Sequence, residues 1–225
     1  LTNILYMCSF VTMKKPKIIY YTDVLCGWCY GFGPVISKIY NEYNDRIDFK
    51  LISGGLFINN RVGLINEVAP HIKQGAYKSV EDLTGVTFGD AFLNGPLKDG
   101  TMVLNSVPPA IALAIVKEVM PEKVFEFADI LHKAVYYDGM HPEDISAYEK
   151  YAEEIGFNST DFLTKMKDVA YYNKACKDFL QYNLQKIHGF PTVILEVAAK
   201  KIALTRGYST YENLKNHLDT YLTKV

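Results

Sequence analysis

From Lys17 to Thr22 the chain is apolar through Ile18-Ile19-Tyr20-Tyr21, and so short a β-branched and aromatic run predicts a buried strand. The apolar positions then switch to helical spacing. Trp28, Phe32, Val35, Ile36, Ile39, Tyr40 and Tyr43 share one face of an amphipathic helix that begins at or just after Cys26. Pro34 removes an internal hydrogen bond and predicts a bend there. Ile47 to Ser53 is strand-like again and ends at Gly54-Gly55. Strand, helix, strand with a crossover implies a parallel pair.

Between Leu56 and about Phe162 the periodicity is mostly helical, and no strand is expected. After Ser106, Pro108 and Pro109 suit a first turn, and the almost wholly apolar "AIALAIVKEVM" predicts a helix buried on most sides, with Ser106 as its N-cap. Pro121–Tyr137 and Pro142–Ile155 read as further helices, the second ended by Gly156. Tyr171–Ile187 reads as a long helix, with Lys186 and His188 near its C-terminus and Gly189 past it. Strand character returns in Pro191–Val197 and Lys201–Thr205, a hairpin turned at Ala198-Ala199-Lys200. Arg206-Gly207 makes a turn, and Ser209 or Thr210 caps a last helix carrying Tyr211, Leu214, Leu218 and Leu222.

With 225 residues, 49% hydrophobic and 22% charged, the chain can build one large domain or a domain with an insertion. Its 24 Lys and Arg against 25 Asp and Glu leave a net charge of −1 and no basic block, so neither nucleic acid nor a membrane surface is an expected partner. The opening "LTNILYMCSFVT" has no basic n-region, no small-x-small cleavage site and too short an apolar run for a membrane span. Bulky Leu5-Tyr6-Met7 before Cys8 does not suit a lipoprotein site, and Met13 reads as a more natural start. Residues 1–16 are read as an N-terminal extension, with disorder one reading of it, and a cytoplasmic location is expected.

Of four cysteines only Cys26 and Cys29 are close in sequence, and a lone CxxC in a cytosolic chain is more often catalytic or metal-binding than part of a bridge framework. The thiolate is the attacking species, and a free cysteine with a pKa of about 8.5 is mostly protonated at neutral pH. A sulfur at the N-terminus of a helix faces unpaired N–H groups and the positive end of the dipole, which favour the thiolate. Cys29, one turn on, can close a disulfide with Cys26 and is better buried. That pairs an attacking with a resolving thiol, the parts of exchange through a mixed disulfide. A closed zinc site needs two further ligands, and His71, His132, His141, His188 and His217 show no ligand spacing. A structural bridge over so short a loop constrains little of the unfolded chain.

The CxxC after a first strand, the helical insertion and "HGFPTVIL" (188–195) together resemble the DsbA-like branch of thioredoxin-fold oxidoreductases. "CGWCYGF" (26–32), Gly54-Gly55-Leu56 and "NSVPPAIALAI" (105–115) point to its FrnE-like subgroup, and the resemblance runs from about Lys17 to the C-terminus. It implies an α/β thioredoxin fold made of residues 17–53 and 170–225, with an α-helical domain, 54–169, inserted after the second strand. It implies that Cys26 attacks, Cys29 resolves the mixed disulfide, and a cis Pro191 shapes the substrate groove. Gly27, Trp28, Phe190, Thr192 and Ser106 are the expected substrate-binding residues, Phe190 offering backbone groups to an extended peptide. No metal or organic cofactor is expected beyond the redox-active Cys26–Cys29 pair. Protein or peptide thiols and disulfides are the expected substrates, glutathione or another thiol the redox partner, and the oligomeric state is left open.

Two departures from that family change the expectation. Relatives often carry a proton-moving carboxylate six residues before the first cysteine, where this chain has Tyr20; Asp23 is nearer, with a strand-end or helix-cap role as its plainer reading. Strong oxidants carry a His between the cysteines, whereas Gly27-Trp28 stands here. An isomerase- or reductase-like protein follows, less oxidising than the DsbA value of about −120 mV. Cys176 reads as a small hydrophobe on a helix, His188 as a complement to a helix C-terminus, and Tyr136 and Tyr137 as packing of the insertion, although the resemblance places their segment near the domain cleft. Competing functions are a glutathione-dependent isomerase or transferase of this fold, against which the retained Cys29 counts, a non-enzymatic chaperone or partner-binding module, and a zinc module.

Overall fold

The structure is a computed structural model and describes residues 15–185, 187–197 and 200–223. The leader with Cys8 and Met13, Lys186 and the Ala198-Ala199 turn lie outside the described residues.

Strand β1 (Lys17–Thr22), helix α1 (Gly27–Tyr43) and strand β2 (Asp48–Ser53) form the expected unit, with β1 and β2 parallel from Lys17↔Asp48 to Thr22↔Ser53. Helix α1 buries Phe32, Ile36, Ile39 and Tyr43 and continues past Pro34, which is exposed. Beyond β2, two residues of β3 (Gly63–Leu64) pair antiparallel with β4 (Val103–Leu104), where no strand was expected; so short a pair carries no periodicity.

Helix α2 (Ile65–Val68) lies beside that ribbon, and α3 (Tyr77–Thr84) and α4 (Asp90–Phe92) follow. Helices α5 (Val107–Val119), α6 (Val124–Tyr136), α7 (Tyr148–Glu154) and α8 (Ser159–Met166) follow. Every residue of α5 from Pro108 to Val116 is buried, as its all-round apolarity requires. The helix expected from Pro142 starts as a 3-10 turn at Ile145, because Asp144 accepts the N–H groups of Ser146 and Ala147. Helix α9 (Val169–Leu184) starts two residues before the expected Tyr171, capped by Asp168 on the Ala170 N–H, and stops short of Ile187.

Strands β5 (Thr192–Val197) and β6 (Lys200–Arg206) then extend the sheet, β5 antiparallel to both β1 and β6, in the order β2-β1-β5-β6. Helix α10 (Tyr211–Leu222) closes the chain, with Thr210 rather than Ser209 accepting the Asn213 N–H at its cap.

Helix α6 lies against α1, and small residues of α1 make the contact. A Cβ at Gly33 would come within 2.4 Å of Asp129 Oδ1, and Ser37 Oγ donates to Asp129 Oδ2. Burial pushes the Asp129 carboxyl up to about 6, opposed by the Ser37 bond. An acid raised by folding weighs against the folded state as pH rises from its unfolded value of about 4 through its folded one. Asp129→Asn, which keeps an acceptor for Ser37, should therefore stabilise the protein by about 1–3 kcal/mol at pH 7.5 and by little at pH 4.5. Urea unfolding at the two pH values checks this; an equal effect at both would contradict it.

Candidate active site

The site begins where β1 runs out. Asp23 is 3% exposed, and its carboxylate gathers donors from separate segments. Oδ1 accepts the Leu25 N–H at 2.9 Å and the Ser106 hydroxyl at 3.0 Å, while Oδ2 accepts the Leu56 N–H at 2.6 Å. Burial raises its pKa, and these donors oppose the rise. The carbonyl of Asp23 takes the Cys26 N–H at 3.0 Å and lies 3.2 Å from His132 Nε2 on α6. Burial holds His132 down at about 4, so the imidazole is neutral at physiological pH. The turn carrying the cysteines is thus tied to the loop after β2, the start of α5 and the middle of α6.

Cys26 occupies the N-cap position of α1 with extended φ and ψ of −99° and 110°. Its carbonyl accepts the N–H groups of Cys29 at 2.9 Å and Tyr30 at 3.1 Å, so the helix starts at the first cysteine. Cys26 Sγ donates to the carbonyl of Phe190 at 3.8 Å, a sulfur hydrogen bond that places the thiol beside the segment before β5. The Phe190–Pro191 peptide is cis, as the resemblance implies. Both cysteines are free thiols, Cys26 at 7% exposure and Cys29 at 0%. Burial, reinforced by the neighbouring Cys26, drives the Cys29 thiol well above the ordinary range. The pair is asymmetric: one thiol reaches the surface and the other is kept protonated within.

A largely apolar cavity of about 470 Å³ opens beside Cys26, between the CxxC turn and the insertion. Gly27 and Trp28 line it together with Phe57, Val80, Phe88 and Tyr136, and Arg61 and His71 reach it. Tyr136, read from sequence as packing within the insertion, is 2% exposed, and burial first, then Cys26, Asp23 and Cys29, raises its pKa well above the ordinary range. Tyr137 points outward at 45% exposure. Of the aromatic wall, the resemblance placed only the Tyr136 segment near the cleft; Phe57 and Phe88 were legible only as packing, because distant parts of the chain build the wall.

Phe190 lies off this cavity: its ring stacks on Tyr182 at 4.5 Å and covers Gly54, leaving its carbonyl to Cys26. Two expected substrate-binding residues are turned inward. Ser106 stands at the N-cap position of α5 without capping it, since its hydroxyl donates to Asp23 and accepts the Phe57 N–H at 3.0 Å. Thr192 is fully buried in β5 and donates to the Gly189 carbonyl at 3.0 Å. Cys176 is half-buried on α9 and does not line the cavity. Among the described residues no cluster of three or more His, Cys, Asp or Glu is placed to hold a metal, and no helix is long and apolar enough to cross a membrane.

A CxxC at the head of the first helix, facing the carbonyl before a cis-proline strand, defines a thioredoxin-fold dithiol protein. The chain belongs to the DSBA-like thioredoxin domain family, whose model matches residues 17–219. It is similar to the structure of a candidate protein disulfide isomerase from Nitrosomonas europaea, with 27% identity, a TM-score of 0.81 and coverage of 94% of this chain and 99% of that one. The cytosolic disulfide reductase DsbM from Pseudomonas aeruginosa shares the fold at 24% identity and a TM-score of 0.77, over 93% of this chain and all of the other. No curated protein matches the chain in sequence.

Gly54 is required by this arrangement, since a Cβ there would lie 1.9 Å from the Phe190 ring. Gly54→Ala should push the ring off Tyr182 and cost about 1–3 kcal/mol, as overpacking does. The predicted outcome is a lower urea midpoint together with an altered alkylation rate of Cys26; neither changing would show that Phe190 does not hold the site.

Proposed function

We propose that this protein is a cytoplasmic dithiol–disulfide oxidoreductase of the reductase or isomerase kind, acting on protein or peptide disulfides. The asymmetry of the pair carries the reading. Cys26 stands at a helix N-terminus with an open cavity beside it, and Cys29 is wholly buried. In the first step the Cys26 thiolate attacks a substrate disulfide, joins one sulfur as a mixed disulfide and expels the other as a thiolate. Cys29 then loses its proton and attacks Cys26, closing the Cys26–Cys29 disulfide and releasing the second substrate thiolate. Two electrons have passed to the substrate, and two equivalents of an external thiol such as glutathione restore the dithiol and leave joined as a disulfide.

The Phe190 carbonyl and the cis Pro191 give an extended substrate a backbone partner next to Cys26. The apolar cavity receives side chains that flank the substrate's cysteine, and Trp28 forms part of that wall. The Gly27-Trp28 dipeptide puts no imidazolium beside the thiolate, which supports a reducing rather than strongly oxidising pair. A cytoplasmic role suits a chain whose few cysteines form no framework, and DsbM, of the same fold, is named a cytosolic disulfide reductase.

The wild-type protein should catalyse insulin reduction by a small thiol, and Cys26→Ser should lower turnover by roughly a hundredfold or more, the scale of losing a nucleophile. Its dithiol potential should lie below the DsbA value of about −120 mV. No turnover in either insulin reduction or reoxidation of reduced RNase, or a Cys26→Ser variant equal to wild type, would overturn the reading.

A further inference from the structure

Tyr136 forms part of the wall of the cavity beside Cys26 and is 2% exposed. The rings of Tyr30, Phe88 and Phe92 pack against it at centroid distances of 5.6, 5.2 and 5.4 Å, which leaves the phenol little freedom to turn away. Its hydroxyl is buried and makes no hydrogen bond among the described residues. Tyr20, Thr22, Ser53 and His132 also carry buried polar atoms without an ordinary partner, but of the five only Tyr136 lines this cavity.

Cys26, Asp23 and Cys29 are the groups whose charge acts on the phenol, so its hydroxyl end faces the CxxC turn. Burial first, then these three, keeps it protonated at neutral pH, and a protonated phenol can donate. Inside the protein no acceptor is open to it. Both Asp23 oxygens are engaged, by Leu25, Leu56 and Ser106, and Phe57, Val80 and Phe88 of the same wall are apolar. Phenylalanine would fill the same space, whereas a buried hydroxyl without a partner works against the fold. What enters the cavity can supply the missing acceptor.

Away from the cavity, the Phe190 carbonyl stands 3.8 Å from Cys26 Sγ and is an acceptor. A substrate sulfur joined to Cys26 therefore has an acceptor to one side and the Tyr136 donor to the other. A peptide chain carries an N–H and a C=O at each residue and can satisfy both. A bare alkyl disulfide satisfies neither. We propose that the Tyr136 hydroxyl donates a hydrogen bond to a carbonyl oxygen next to the substrate's reacting cysteine, and so favours peptide disulfides over simple alkyl ones. The inference rests on the dithiol reading above. Tyr136 is then a substrate-binding residue, and the thiol exchange itself does not pass through it.

Oxidation of the reduced protein by two neutral disulfides tests this, followed as loss of the free Cys26 thiol by acid-quenched mass spectrometry. One is the disulfide of N-acetylcysteine methylamide, which carries carbonyls beside its sulfurs. The other is diethyl disulfide, which has no oxygen. Tyr136→Phe should lower the second-order rate constant for the first roughly tenfold, the scale of one hydrogen bond made only with substrate, and leave the second within twofold. Its urea midpoint should equal or exceed that of wild type, since the hydroxyl is unpaired in the free protein. Equal effects on the two disulfides, whether none or the same slowing, would overturn the proposal. A lower midpoint would overturn it too, because the hydroxyl would then have a partner within the protein. A wild type that neither disulfide oxidises would instead refute the dithiol reading on which the proposal rests.

Discussion

The site depends on one buried carboxylate. Asp23 sits where β1 ends, and without it the N–H groups of Leu25 and Leu56 and the hydroxyl of Ser106 would lose their acceptor inside the protein. Leaving buried groups unpaired costs about 1–3 kcal/mol each, so this constraint outweighs any surface ion pair in the molecule. Its effect is geometric as much as energetic. It locks the turn before Cys26 to the loop after β2 and to the first turn of α5, and the Asp23 carbonyl adds α6 through His132. With those segments fixed, Cys26 begins α1 beside the Phe190 carbonyl, and the insertion encloses a cavity next to it.

The frame adds to the difference that helix position already gives the two cysteines. Three residues apart on one helix, they share a sequence context, yet one lines a cavity and the other is sealed beneath it. Burial raises the Cys29 pKa well above the ordinary range, so on the proposed reading it attacks only in a second step, once its proton is taken. A mixed disulfide with a finite lifetime is what reduction and isomerisation both require, since a substrate can be resolved by Cys29 or exchange with its own thiols.

The sheet and α1 were legible because short continuous β-branched and aromatic runs and a sustained 3.6-residue period are strong local signals. Lys17–Thr22, the face from Trp28 to Tyr43, and the α9-β5-β6-α10 tail follow that rule to within a few residues. What was hidden depends on contacts between distant segments. Ser106 has the residue type and position of an N-cap, but a buried acid 83 positions away competes for its hydroxyl. Thr192, in the strand after the proline, has its side chain on the interior of the sheet. Asp129 looks like an exposed charge on an amphipathic helix. The available signal was on the other element, where Gly33 and Ser37 put small residues at i and i+4 on a face otherwise filled by large apolar ones.

The central claim is that Cys26 is the attacking thiol and Cys29 the resolving one. Mass spectrometry of the Cys29→Ser variant after incubation with a protein disulfide tests it most directly. The account predicts a stable mixed disulfide mapped to Cys26, absent from Cys26→Ser and discharged by added thiol. An adduct on Cys176, or none on Cys26 while the wild type turns over the same substrate, would contradict it.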